Sequence, residues 1–301
     1  MVNRVWHYHF GRGIVGTPSD FGAMGDPPTH PELLDWLAGD FVRGGWSLKR
    51  LHRLVMASSV YRQASAHRAD AARIDPGNRL WWRFPRQRLE AEAIRDAALA
   101  AAGLLDLTVG GPSVFPEVPV VVDDYGKWRT SKDAAARNRR SVYIFVKRNA
   151  RYPMLEAFDF PDTHESCSRR HATITAPQAL TLLNGKLALE WAQAFAGRIL
   201  GEAAVSPSAD GPASSPSSPE LAPVIAHAYR IAFSRPPAAE EVETALAFLD
   251  RQRAIIAERA AAGEEILVPS RIPEGVDRAM AAALVDFCHM VLNTNEFIDR
   301  N

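Results

Sequence analysis

Apolar residues recur at helical spacing along most of the chain. After Thr29-His30-Pro31-Glu32, which has the letters of a capping box, Leu33, Leu34, Leu37, Phe41 and Val42 follow at helical spacing, and Gly44-Gly45 ends the run. Ser47 is placed to cap a second helix carrying the stripe Leu48, Leu51 and Val55, and so short a connection predicts a helical hairpin. Asp75-Pro76-Gly77-Asn78 is a turn signal, and an Ala-rich helix over residues 88–102 stops at Gly103. Thr175-Ala176-Pro177-Gln178 repeats the capping logic; Leu180, Leu183, Leu187, Trp191 and Phe195 then predict a long helical region bent near Asn184-Gly185. Three more helices are expected over 221–233, 238–259 and 276–292, the last with Met280, Leu284, Phe287 and Val291 on one face. Residues 141–146, β-branched and aromatic, predict a strand, and 118–122 could pair with it as an edge because of Pro119. The fold class that follows is mainly α: a multi-helix globular domain with a small β element near residues 118–146.

Residues 203–219 form a Ser/Pro/Ala/Gly tract without periodicity, which predicts a flexible connection. The expected organisation is a main helical domain over 1–202, the linker 203–219, and C-terminal helices over 220–301 packing on the main core.

With 47% apolar and 23% charged residues, 301 residues can bury a sizeable core. Lys plus Arg and Asp plus Glu both number 35, so no global field favours nucleic acid. No apolar run is long enough for membrane insertion, and Met1-Val2-Asn3-Arg4-Val5-Trp6 lacks the core of a signal peptide. Cys167 and Cys288 form neither a disulfide framework nor a zinc set and are expected to be buried structural thiols.

Gly11-Arg12-Gly13-Ile14-Val15-Gly16 matches a dinucleotide loop in letters, but Trp6 to Phe10 before it has helical character where a strand is needed. His7 and His9, with His30, Glu32 and His52, offer metal donors without a recognised spacing, so no metal is expected. Cys167-Ser168-Arg169-Arg170-His171 has one thiol where covalent haem attachment needs two, and no cofactor is expected. Local charge is the least bland feature. Residues 127–170 hold eleven Lys or Arg against five Asp or Glu, a local excess of six positive charges. Arg140 and Arg148 share parity on the predicted strand and, with Arg169 and Arg170, form a candidate anion-binding site, since guanidinium forks suit carboxylate, sulfate or phosphate. The plainer alternative is a solvated face, or internal pairs with carboxylates such as Asp159.

Several segments are shared as a set: Asn3-Arg4-Val5-Trp6, His9-Phe10-Gly11-Arg12-Gly13, Thr17-Pro18-Ser19-Asp20-Phe21-Gly22, Pro31-Glu32-Leu33-Leu34-Asp35-Trp36-Leu37, Arg139-Arg140-Ser141-Val142-Tyr143 and Phe158-Asp159-Phe160-Pro161-Asp162. With them the chain resembles the C-terminal domain of unknown function number 1553, typical of planctomycete proteins. That resemblance implies a cytochrome-c-associated, exported parent with a periplasmic or cell-surface setting, and it supplies no catalytic residues. After the Trp the family tends to read Gln-His-His; here His7-Tyr8-His9 stands, so only His9 matches. The chain starts inside the family's usual N-terminal helix, so a longer parent protein is expected.

The function expected from these observations is a non-catalytic binding or scaffolding module that engages an anionic polysaccharide or the parent's upstream domains. The alternative is a carbohydrate-active enzyme whose acid/base carboxylates are unidentified. Close-set carboxylates in a cleft would favour the enzyme, and an arginine-lined face would favour binding.

Overall fold

The computed structural model describes residues 1–118, 128–205 and 221–300. Backbone contacts divide the chain into two compact units. One comprises Met1–Arg88, Glu165–His171 and Asp299–Asn301; the other comprises Leu89–His164 and Ala172–Ile298.

The first unit holds α1 (Val2–Phe10), α2 (Pro31–Arg43), α3 (Leu48–Ala57), α4 (Ser59–Arg62), α5 (Ala69–Ile74) and the short strand β1 (Gln87–Arg88). Helix α1 buries Val2, Val5, Trp6 and Phe10, one face at helical spacing. These pack with Leu37, Phe41, Leu51, Val55, Trp81 and Phe84, each apolar side chain contributing about 1.5–3 kcal/mol before ordering entropy. The glycine run after α1 is its C-cap: Gly11 turns left-handed at φ 72° and donates to the His7 carbonyl at 2.7 Å. Buried Asn3 then fixes the following loop, its amide accepting from Val15 N at 2.9 Å and donating to Val15 O at 3.1 Å. Helix α2 starts one residue later than its capping letters suggest. Thr29 donates back to the Ile14 carbonyl, His30 takes the N-cap without a side-chain bond, and Pro31 opens the helix. Ser47 caps α3 as expected, accepting from Arg50 N at 3.3 Å.

The second unit runs through α6 (Ala91–Ala101), α7 (Ala134–Arg137), α8 (Pro153–Ala157), α9 (Ala176–Asn184), α10 (Lys186–Val205), α11 (Leu221–Phe233), α12 (Ala239–Ala261), α13 (Arg278–Leu292) and α14 (Asn295–Ile298). Its core is organised on α13, against which α10 and α12 pack. Ala279, Ala281, Ala282 and Ala283 are buried with Leu284, Val285, Phe287 and Cys288, and small residues let the neighbouring helices approach closely. Helix α10 answers with Trp191, Ala192, Phe195, Ala196, Ile199 and Leu200. The Thr175 capping box forms as expected, with Gln178 reciprocating. The expected bend near Gly185 is a full break, and there a Cβ would stand 2.2 Å from the Thr181 carbonyl oxygen. The break frees α9 to turn: it buries Gln178 and Leu182, while Leu180 and Leu183 of the predicted stripe are exposed.

The chain is mainly α with a small β element, but the regular sheet is elsewhere than expected. Among the described residues it is the antiparallel pair β1 with β2 (Asp299–Arg300) of the first unit. Residues 141–146 form no strand. Ser141–Tyr143 is one turn of 3₁₀ helix, and only isolated bridges, Val114 to Ile144 among them, occur nearby. The reason lies in side chains: Ser141 N and Oγ both donate to Asp96 Oδ1 at 2.7 Å, which captures the backbone in a turn. From residue 119 the proposed partner strand lies outside the described residues, as does the Ser/Pro tract from residue 206. Among the described residues no helix is long and apolar enough to cross a membrane.

Candidate functional site

The four arginines singled out by sequence fall in two different units. Arg140 and Arg148 belong to the second unit, Arg169 and Arg170 to the first. Without a strand at 141–146, Arg140 and Arg148 have no shared strand face. Arg140 is half exposed, 3.8 Å from Asp96 Oδ2. Arg148 is exposed, and its carbonyl accepts from Thr163 Oγ1 at 3.1 Å. Arg169 is exposed and lowers the His7 pKa, though burial of His7 contributes more. Arg170 is partly buried.

Two neighbours in the same basic run have internal duties. Arg139 is buried and donates to the carbonyls of Pro112 at 2.8 Å, Thr108 at 3.1 Å and Gly110, with Tyr143 under its guanidinium. A glycine loop with φ near 84° is thus wound around a cation. Arg137 pairs with Glu117 at 2.7 Å. Buried Arg95 donates to the carbonyls of Arg139 and Arg137 and to Ser141 Oγ, and burial lowers its pKa. Beside it burial pushes the Tyr152 phenol up to about 12. Arg139 and Arg137 of the basic run therefore hold loops together.

A concavity of the second unit lies where α6 ends against α10. Gly103 turns left-handed there at φ 72°, and Arg198 caps α6 by donating to the Ala100 and Ala101 carbonyls at 2.9 and 3.0 Å. The pocket holds about 380 Å³. Ala102, Gly103, Leu104, Ala194 and Gly197 give it an apolar lining, and Gln193, Arg198, Glu202, Ser270 and Arg271 supply polar atoms. Arg198 Nε also holds Glu202 at 2.8 Å, and His227 Nε2 meets the other Glu202 oxygen at 2.5 Å. Glu202 is accordingly held below its ordinary pKa, first by the Arg198 hydrogen bond and then, against partial burial, by His227. Gln193 Nε2 donates to the Val268 carbonyl at 2.8 Å, and Arg271 makes no hydrogen bond or ion pair with the described residues. Sequence reasoning missed this site. Its one local signal was the i, i+4 spacing of Arg198 and Glu202.

In the first unit His9 Nε2 and His52 Nδ1 meet at 2.8 Å, and burial lowers the His9 pKa, helped by His52 and Arg300. His30 bonds Thr29 and lies over Trp81. Among the described residues no group of three His, Cys, Asp or Glu side chains is close enough to hold a metal ion. Cys288 is buried and its thiol pKa is pushed well up, whereas Cys167 is exposed, contrary to expectation.

Residues 1–249 fit the family model described as PSD1, protein of unknown function (DUF1553). No curated protein and no solved structure matches.

Proposed function

The chain belongs to the DUF1553 family of unknown function, and on that premise we propose that it is a non-catalytic binding or scaffolding module of an exported multidomain protein, with a pocket that engages an anionic ligand. The observation that carries this is the charge of the pocket: its described lining residues include two guanidiniums, Arg198 and Arg271, and one carboxylate, Glu202. Glycoside hydrolysis ordinarily needs two carboxyl groups, one of them held protonated as the acid. Among the described lining residues Glu202 is the one carboxylate, and its partners favour the ionised form. That disfavours the carbohydrate-active enzyme. Arg140 and Arg148 extend the cationic character proposed for the same unit, and Arg169 and Arg170 are proposed as anion contacts of the first.

The expected ligand is an anionic polysaccharide or an acidic surface of the parent protein's own upstream domains, in a periplasmic or cell-surface setting. The test is calorimetric titration with carboxylated, sulfated and neutral polysaccharides at low and physiological salt. Binding should be restricted to the anionic polymers, weaken as the Debye length contracts to about 8 Å, and be lost in Arg271→Glu. Anionic binding that ignores both salt and this substitution overturns the proposal.

A further inference from the structure

The lining of the same pocket narrows the chemistry of its ligand. Arg198 is committed, since its guanidinium donates to two helix carbonyls and to Glu202. Arg271 is exposed and has no partner among the described residues. One open fork takes one carboxylate in bidentate fashion. Glu202 is engaged by Arg198 and His227, which leaves Arg271 as the open guanidinium among the described lining residues.

The remaining polar atoms ask for hydroxyls. The Gln193 amide nitrogen is engaged by Val268, while its carboxamide oxygen has no donor among the described residues. Ser270 adds an exposed hydroxyl that can donate or accept. At two lining glycines a neighbouring side chain already occupies the space a Cβ would take. A Cβ at Gly103 would stand 3.2 Å from Arg198 Cδ, and one at Gly197 would stand 3.4 Å from Pro269 Cβ. The apolar part of the lining, Ala102, Leu104 and Ala194, accepts the C–H face of a saturated ring.

We infer that the pocket binds a sugar acid, a polyhydroxylated monocarboxylate, with its carboxylate on Arg271, a hydroxyl donating to Gln193 Oε1 and its ring against Leu104 and Ala194. This rests on the pocket being the anion site proposed above. The experiment titrates the full chain with glucuronate, glucose, acetate and inorganic phosphate, one at a time. Glucuronate should bind at least about tenfold more tightly than each of the others, a gap of roughly 1.4 kcal/mol. Arg271→Glu should abolish that binding, and Arg271→Lys should weaken it about tenfold because the fork is lost. Arg271 is exposed, so both of its variants should keep the wild-type circular dichroism and melting temperature.

If acetate or phosphate binds as tightly as glucuronate and Arg271→Glu removes both, the site is anionic but not for sugar acids, and only the present inference fails. If glucuronate binds equally well to Arg271→Glu, or no anion binds, this inference falls and so does the pocket as the anion site.

Discussion

Arg139 and Arg140 are adjacent in sequence and opposite in duty. Arg139 is buried, and three loop carbonyls depend on its fork. Replacing it with Ala strands those acceptors and should destabilise the protein by about 3 kcal/mol in urea unfolding. Lys should not rescue it, because a single ammonium cannot span the same acceptors. Arg140→Ala, at a half-exposed site 3.8 Å from its carboxylate, should change stability by less than about 0.5 kcal/mol. Equal effects at the two positions would refute the division. Both arginines looked alike in the sequence, because what separates them is the distant glycine loop around one. Glu241 makes a pH-dependent case. Its pKa falls from an ordinary 4.5 to about 2, chiefly through the hydrogen bond from Arg235, which also holds Glu296. Its contribution is therefore complete above pH 4.5 and fades as the pH drops toward 2. The stability gap between wild type and Arg235→Met should be widest near neutrality and close over that window. A gap that stays constant with pH would exclude the linkage.

The helices differ in how openly their sequences announce them. Helices α11, α12 and α13 fall within three residues of their expected limits, since a long amphipathic stripe overdetermines them. Helix α9 is legible as a helix but not in its facing, because Gly185 ends the apolar stripe that the sequence runs on into α10. The strand expected over 141–146 fails for a related reason: β propensity is outweighed there by side-chain bonds to Asp96, far away in sequence. The pocket was illegible because its lining comes from the end of α6, the middle of α10 and the loop before α13. Close packing of α13 gives the test at this scale. Ala283 is fully buried, so Ala283→Leu should overpack the core and destabilise it by about 1–3 kcal/mol. Leu249→Ala on α12 should cost about 2–5 kcal/mol by leaving a cavity. Tolerance of both substitutions would mean that this core is loosely packed.

At the scale of the whole chain, each unit has its own buried apolar cluster, and the first is completed by residues from the chain's far end. Strand β2 pairs with β1, and Arg300 donates to the carbonyls of Tyr8 and His9 and to Gln87 Oε1, closing the end of α1. Deleting residues 299–301 should lower the unfolding midpoint of the first unit, followed by Trp6 and Trp81 fluorescence. An unchanged midpoint would show that the clasp contributes nothing. Its position also sets an order of events during synthesis. At roughly 5–20 residues per second, about 10–40 s separate the emergence of Arg88 from that of Asp299. Throughout that interval the nascent first unit carries an unpaired strand edge and the open carbonyls of α1, so a pause or a cut in the second half of the message leaves a segment ready to pair with a neighbour on the same polysome.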